Sequence, residues 1–336
     1  MKIFITGILG LVGSQSALSF AKDGHEVYGV DNDMRGRLFG KDGSTSAMKK
    51  KLEEAGVVVT RSDITNPTEL AENIGEPDVV IHCAAQPSHD YSIDHEFIDF
   101  TTNAYGTLSL LSHCSFLPNK PIFIYTSTIK VYGDVVNQFT YEETPTRYVL
   151  EDEFEEFNED LSIDGDGHSP FGVSKLCADL YCQEFAKMHD MNVGVFRLGC
   201  ITGSAHKGVE LHGFLSYLVK CGVEGKPYTI YGNGKQVRDQ LHVQDLVDAF
   251  KQFIDNPKSG VYNLGGGIEN SISINEAIET LAERGIKVDC WTKSNRYADH
   301  KYWVSDNNKF RRTYPEWKVN HSLDDIFDDL ILTDKK

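Results

Sequence analysis

The chain has 336 residues, 40% hydrophobic and 25% charged, with a formal charge of −17. That length and hydrophobic content suffice for one large domain or two smaller ones with a buried core. The acidity argues against a nucleic-acid or anionic-membrane surface, where phosphates need a basic footprint, and any anionic ligand must be held by a few local Arg and Lys residues. Residues 2–6 are a short apolar run that reads as a buried strand, followed by helical spacing over 11–22 and a second strand over 25–30. Further strands are predicted at 57–61, 79–83, 121–126 and 193–197, with helices at 107–115 and 174–189. Strands alternating with helices predict βαβ units, hence an α/β fold with a doubly wound parallel sheet covered on both faces. The expected division is a first domain over 1–196 and a smaller region over 197–333 that interleaves with it in part.

One compositional break stands out. Residues 151–167 hold nine acids and no Lys or Arg, with several Gly and Asp turn formers. They read as an exposed insertion, either a solvated loop or a lid. Cys83, Cys114, Cys177, Cys182, Cys200, Cys221 and Cys290 are scattered, without a Cys-x-x-Cys pair. That pattern fits free thiols in a reducing cytosol and neither a disulfide framework nor a zinc site, so no metal is expected and a cytoplasmic location is. No signal peptide precedes the first strand, and no apolar run approaches the ~20 residues that span a bilayer.

The first turn carries the firmest chemistry. Thr6-Gly7-Ile8-Leu9-Gly10-Leu11-Val12-Gly13 lies between the first strand and the first helix. Gly7 permits the tight turn, Gly10 lets the backbone approach a pyrophosphate at the helix N-terminus, and Gly13 allows close helix–strand packing. Leu9, Leu11 and Val12 line the same turn. Asp31, with Asn32 beside it, follows at the end of the second strand, 24 positions after Gly7. A carboxylate there accepts hydrogen bonds from a ribose and repels a 2′-phosphate, favouring NAD over NADP. Arg35 and Arg37 read as loop charges.

The Gly-x-x-Gly-x-x-Gly spacing resembles that of the extended short-chain dehydrogenase/reductase family. Asp63-Ile64 resembles that family's pair beside the adenine, and His82-Cys83-Ala84-Ala85 its turn after the fourth strand, with Ala84 and Ala85 at the cofactor. Asn103 in Asn-Ala-Tyr-Gly-Thr is similar to its structural asparagine. The strand end Tyr125-Thr126-Ser127-Thr128 places Thr128 where the family has its catalytic hydroxyl. Ile129 and Lys130 stand where 4,6-dehydratases carry an Asp-Glu pair and decarboxylases a glutamate, so both chemistries lack their acids. Phe171-Gly172-Val173-Ser174-Lys175 resembles the family's Tyr-x-x-x-Lys, in which the lysine lowers the pKa of the catalytic phenol. Lys175 is present and the phenol is not.

Lys130-Val131-Tyr132-Gly133-Asp134, His168-Ser169-Pro170-Phe171-Gly172 and Gly232-Asn233-Gly234-Lys235-Gln236-Val237-Arg238-Asp239 together resemble the CDP-paratose (CDP-tyvelose) 2-epimerase subfamily. Ile129 and Thr202-Gly203 depart from its pattern. The resemblance implies an NAD-dependent epimerase of a nucleotide sugar, with a CDP-sugar favoured, acting at C2 of a 3,6-dideoxyhexose through a transient ketone. Arg296-Tyr297-Ala298-Asp299 resembles the family's Arg-x-x-Asp clamp on the diphosphate and ribose. Arg238 is its partner, and Lys130 faces the substrate. Arg197 ends a strand and suits either a substrate or a structural role, while structural duty is expected of His168 and His242. The family pattern implies a homodimer formed by helices such as 174–189. Phe171 implies an engineered or naturally impaired catalytic site. Two other readings stay open: a nucleotide-sugar 4-epimerase, and a non-catalytic binder of NAD and a nucleotide sugar.

Overall fold

The apolar runs pair into one seven-stranded sheet in the computed structural model, which describes residues 1–152 and 154–334. The strands are β1 Lys2–Thr6, β2 Glu26–Asp31, β3 Val58–Arg61, β4 Val79–His82, β5 Ile122–Thr128, β6 Val193–Leu198 and β7 Gly260–Leu264. Their order is β7-β6-β5-β4-β1-β2-β3. The β2–β3, β1–β2, β1–β4 and β4–β5 pairs are parallel, with Thr6 level with both Val30 and His82. All four residues of β4 and all six of β6 are buried, which is why these strands are continuous apolar runs and not alternating ones. The order reverses between β1 and β4, and the crevice beyond the carboxyl ends of strands at such a reversal is where doubly wound sheets bind ligands.

Helices α1 Leu11–Lys22, α2 Glu96–Phe100, α3 Gly106–Phe116 and α4 Ser169–Met188 build the site. The bounds of β1 and α1 are those expected. α4 begins at Ser169, five residues before the predicted start, so Phe171 and Lys175 lie in its first two turns. β5 runs on to Thr128 and places that hydroxyl at the strand end. The edge strand β7 was not anticipated; Gly260-Val261-Tyr262-Asn263-Leu264 is short, with Gly and Asn inside it.

The chain divides into two compact units. The first comprises Met1–Thr128, Pro170–Arg197 and Val247–Tyr262. Its core packs Phe4, Val80 and Phe123 of the sheet against Leu110 and Leu111 of α3 and Ala178 and Phe185 of α4. The second comprises Ile129–Ser169, Leu198–Leu246 and the chain from Asn263 onward. In its core Leu218 and Val219 of helix Phe214–Glu224 meet Leu281 of helix Ile274–Glu283, and Ile326 and Phe327 of helix Leu323–Asp334. A strand at Val237–His242 pairs with Cys200–Thr202, Ser271–Ser273 and Tyr302–Trp303, and Tyr228–Tyr231 pairs with Cys290–Lys293. Among the described residues no helix is long and apolar enough to cross a membrane.

The acidic insertion is largely exposed, as expected, but it is pinned. Glu153 lies outside the described residues. Glu156 Oε1 accepts from the Ile268 amide at 3.0 Å and Glu159 Oε1 from the Asn263 amide at 2.7 Å. Phe157 is buried, stacks on Trp303 at 5.3 Å, and exchanges backbone bonds with Val304 and Asp306. A segment held by two carboxylates, a stacked ring and backbone bonds is a strap and not a loose loop.

Candidate functional site

Steric limits build the cofactor cradle in the first unit. Gly7 has φ +66°, and a Cβ there would stand 2.7 Å from the Ala84 amide nitrogen. The turns after β1 and β4 therefore touch, and only glycine permits it. A Cβ at Gly13 would stand 2.3 Å from the Gly7 carbonyl oxygen, so this glycine sets how closely α1 packs on the turn. Behind the turn, Thr6, His82 and Thr107 form a buried relay. Thr107 Oγ1 donates to the Asn103 carbonyl at 2.5 Å, which leaves it to accept from His82 Nε2 at 2.8 Å. His82 Nδ1 then accepts from Thr6 Oγ1 at 2.6 Å, and Thr6 Oγ1 accepts from the Ala84 amide at 3.2 Å. Burial, with Lys175 nearby, pushes the His82 pKa down to about 3, consistent with the neutral ring this pattern requires.

The carboxylates after β2 and β3 are fixed by local donors. Asp31 accepts from the Leu9 amide at 3.0 Å and the Asp33 amide at 2.8 Å, and burial raises its pKa against the pull of those bonds. This ties Asp31 to the glycine turn that it was expected to accompany. Burial also opposes charge on Asp63, but donors from Thr65 and Asn32 and the nearby Arg37 outweigh it and hold Asp63 below the usual range. Ile64 beside it is buried. Arg35 lies 5.3 Å over the Phe39 ring, and burial lowers its pKa to about 10.

Between α2 and α3 the helix opens into a π turn at Thr101–Tyr105, and Asn103 lies at its centre. Asn103 Oδ1 accepts from the Gln86 amide at 2.9 Å. Its Nδ2 reaches the Gln86 carbonyl at 3.2 Å, Asp99 Oδ1 at 3.1 Å and Ser174 Oγ at 3.1 Å. Ser174 Oγ donates its proton to Asp99 Oδ2 and lies 3.0 Å from the Phe171 carbonyl oxygen, and Ser92 Oγ accepts from the Phe171 amide at 3.1 Å. Asn103 thus ties the loop after β4 to the start of α4.

Thr128, Phe171 and Lys175 all belong to the first unit. Lys175 Nζ donates to the Thr126 carbonyl at 2.6 Å and lies 4.3 Å over the Tyr125 ring. Burial lowers its pKa to about 8, with Cys182, Cys83, Asp179 and Asp99 opposing the shift. The ammonium is charged at neutral pH, one helical turn after Phe171, whose ring is buried. Arg197 is placed in the interior: Nε and Nη2 pair with Asp179 at 3.0 and 3.1 Å, and Asp179 is fully buried. Ser127 and Gln183 also donate to Asp179, both at 2.7 Å. Arg197 is thus held inside the first unit by this pair, which supports the structural of the two roles that the sequence left to it.

The second unit gathers the remaining charged residues around one segment, 296–299. Arg238 Nη2 pairs with Asp299 Oδ1 at 2.6 Å. Lys130 Nζ lies 3.6 Å from the same oxygen and donates to the Ala298 carbonyl at 2.9 Å. Burial lowers the Lys130 pKa to about 8, and Asp299 works against that shift. Arg296 Nη2 donates to the Glu210 carbonyl at 2.9 Å, and its guanidinium lies 4.0 Å over the Tyr231 ring. His168 Nε2 donates to the Val131 carbonyl at 2.9 Å, and His242 pairs with Asp329 at 3.2 Å.

The profile of the NAD dependent epimerase/dehydratase family matches residues 3–265. The chain belongs to that family. It is 31% identical to CDP-paratose 2-epimerase of Salmonella typhi, over 97% of this chain and 96% of that protein. UDP-glucuronic acid 4-epimerase from Bacillus cereus, in complex with UDP-glucuronic acid and NAD, superposes with a TM-score of 0.81 at 25% identity, covering 100% of this chain and 99% of that one. A tyrosine-to-phenylalanine mutant of the same enzyme, solved with NAD and UDP-4-deoxy-4-fluoro-glucuronic acid, gives 0.80 at 26%, with the same coverage.

NAD is the cofactor of this epimerase/dehydratase family, and the chain's residues fit it: a glycine turn with no room for a Cβ at Gly7, a carboxylate tied to that turn, and Lys175 of α4 held on the Thr126 carbonyl of β5. Several residues of this family member escaped sequence reasoning. Asp99 precedes Asn103 by one helical turn, a spacing that could have drawn attention to it. Asp179 follows Lys175 by the same interval. Glu210 and Tyr231, which hold Arg296, gave no signal beyond being polar or aromatic.

Proposed function

We propose that this chain is an epimerase of a nucleotide-activated sugar, acting at C2 of a CDP-3,6-dideoxyhexose through a transient ketone. The observation that carries the reading is Lys175, buried, charged and held on the Thr126 carbonyl one helical turn from position 171. The choice of C2 and of a CDP-sugar is supported by the likeness to CDP-paratose 2-epimerase over nearly the whole chain. NAD, when bound, supplies a reversible hydride acceptor. Thr128 hydrogen-bonds and orients the sugar hydroxyl at the reacting carbon. Lys175 stabilises negative charge at position 171, the charge that a phenolate there would carry. Arg238 and Arg296 grip the diphosphate, which suits a guanidinium fork, with Asp299 on the ribose and Lys130 toward the sugar. The cofactor contacts fall to Gly7 through Gly13, Asp31, Asn32, Asp63, Ile64, Ala84, Ala85 and Asn103. The seven free thiols support a reducing, cytoplasmic setting.

Phe171 keeps the ring and lacks the proton-carrying oxygen, so the site is engineered or naturally impaired. Loss of a positioned acid–base group removes ~10² to 10⁴ in rate. Phe171→Tyr is therefore expected to raise epimerisation of CDP-paratose and CDP-tyvelose by that factor, followed by NMR of the sugar. A chain as fast as its Phe171→Tyr form would remove the assigned role of position 171, and inactivity of both forms would remove the reading for those sugars. UDP-glucose and UDP-glucuronic acid belong in the same assay. The likeness to UDP-glucuronic acid 4-epimerase favours a 4-epimerase as the second reading, and Phe171 itself favours a non-catalytic binder.

The functional form we propose is a homodimer. Phe97 and Phe100 of α2, Tyr105 of the π turn, and Val173, Leu180 and Tyr181 of α4 are exposed, on helices that the Asp99–Ser174 and Asn103–Ser174 bonds hold side by side. A second copy of this face is the simplest cover for so much apolar surface. Light scattering is expected to give twice the chain mass, and Phe97→Asp with Tyr181→Asp the single mass.

A further inference from the structure

A nucleoside diphosphate presents phosphates, a ribose and a base edge. Within the second unit, Arg296 and Asp299 of the segment 296–299 are the residues proposed above for the diphosphate and the ribose, so the base belongs on the nucleoside side of this clamp. Arg296 rests on Tyr231 and is bound to the Glu210 carbonyl, which puts Glu210 beside the clamp.

The Glu210 side chain has no part in the proposed chemistry, yet it is held firmly. Its Oε1 accepts from the Tyr231 hydroxyl at 2.9 Å and lies 3.6 Å from Lys293 Nζ. Burial works against its charge, but Tyr231, Lys293 and Thr229 outweigh burial and hold its pKa below the ordinary carboxylate range. The group is thus an anion near neutrality, able only to accept. Its side chain is 39% exposed, which leaves room for a ligand to reach it.

We propose that Glu210 reads the base: its carboxylate accepts the exocyclic amine of cytosine, so the site takes cytidine nucleotides over uridine nucleotides. The proposal rests on the reading that Arg238 and Arg296 hold the diphosphate. Cytosine offers an N–H donor at C4, where uracil offers a carbonyl oxygen that a carboxylate repels. A carboxylate provides about four acceptor sites, so Tyr231 and Lys293 do not exhaust it. Discrimination by one such base contact corresponds to roughly 5- to 150-fold in Kd.

The test is calorimetric titration of the full chain, loaded with NAD, with CDP and with UDP. The native chain is expected to bind CDP tighter by that factor. Glu210→Gln carries an amide that can donate to the uracil oxygen, and it should bring the two affinities within about threefold, chiefly by a gain for UDP. Glu210→Ala should narrow the ratio by weakening CDP and relieving the repulsion of UDP, with a smaller gain for UDP than Glu210→Gln gives, which separates base reading from a change in folding. Arg296→Ala should weaken both nucleotides alike. An unchanged CDP/UDP ratio in Glu210→Gln, or equal binding by the native chain, overturns base reading and leaves the diphosphate clamp standing. Unchanged affinities in Arg296→Ala, or no binding of either nucleotide, overturn the clamp and the inference together.

Discussion

The residues proposed for the cofactor in the first unit and those proposed for the substrate in the second are built on different physics. The cradle of Gly7, Thr6, His82 and Asn103 is a matter of shape, with no room for a Cβ and with buried donors and acceptors matched among themselves. The cluster at 296–299 is a matter of charge, with Lys130 and Arg238 sharing one carboxylate. Shape suits a group that stays in place through turnover, because a matched buried network resists rearrangement. Paired charges suit a ligand that comes and goes, since an anion such as the proposed diphosphate would share the cations that Asp299 balances.

Three measurements break or sharpen that contrast. The largest effect is expected at the buried Arg197–Asp179 ion pair of the first unit. Arg197→Met leaves the buried Asp179 without its ion-pair partner, with Ser127 and Gln183 as its remaining donors, and should cost about 3–5 kcal/mol in urea unfolding. Adding Asp179→Leu should restore most of it. An unshifted unfolding midpoint with a raised KM would instead return Arg197 to the substrate. Next is Gly13→Ala. Its Cβ meets the Gly7 carbonyl, so α1 must shift, with a loss of about 1–3 kcal/mol and NAD affinity weakened at least tenfold by titration. Equal affinity would show that the cradle tolerates movement.

The smallest effect is in the pH dependence of stability. Lys130 and Lys175 have folded pKa values near 8, below the 10.5 of a free lysine. Between those values the unfolded chain binds more protons, so their contribution makes stability rise with pH from about 8 to 10. Lys130→Met should flatten that slope, and an unchanged slope would mean that Asp299 keeps Lys130 charged throughout.

These residues also show what a sequence can disclose. β1 and α1 were legible because a strand, a glycine turn and a helix cap are local chemistry. The chain from Thr128 to Lys175 was legible as spacing, and Lys130 and Arg238 meet at Asp299, while Arg296, three residues earlier, rests on Glu210 and Tyr231. Arg197 was ambiguous because its partner Asp179 sits in a helix, where a buried aspartate and a solvated one read alike. The same limit hid the strap: exposure of 151–167 followed from its composition, whereas the anchoring of Glu156 and Glu159 depends on distant backbone amides. β7 was missed because an edge strand can include Gly and Asn.

The π turn at Thr101–Tyr105 has a consequence for how this chain can vary over evolution. Such a turn accommodates one residue more than an α-helix would. Deleting one residue of it would return the stretch to α geometry and leave α2 and α3 in phase, because the wide turn takes up the extra residue. Phe97 and Phe100 would keep their outward face and Asp99 its place beside Ser174, while the widened turn that carries Asn103 would close. A one-residue gap is therefore tolerable here for the packing of the helices, and lineages that carry such a gap should also have lost Asn103.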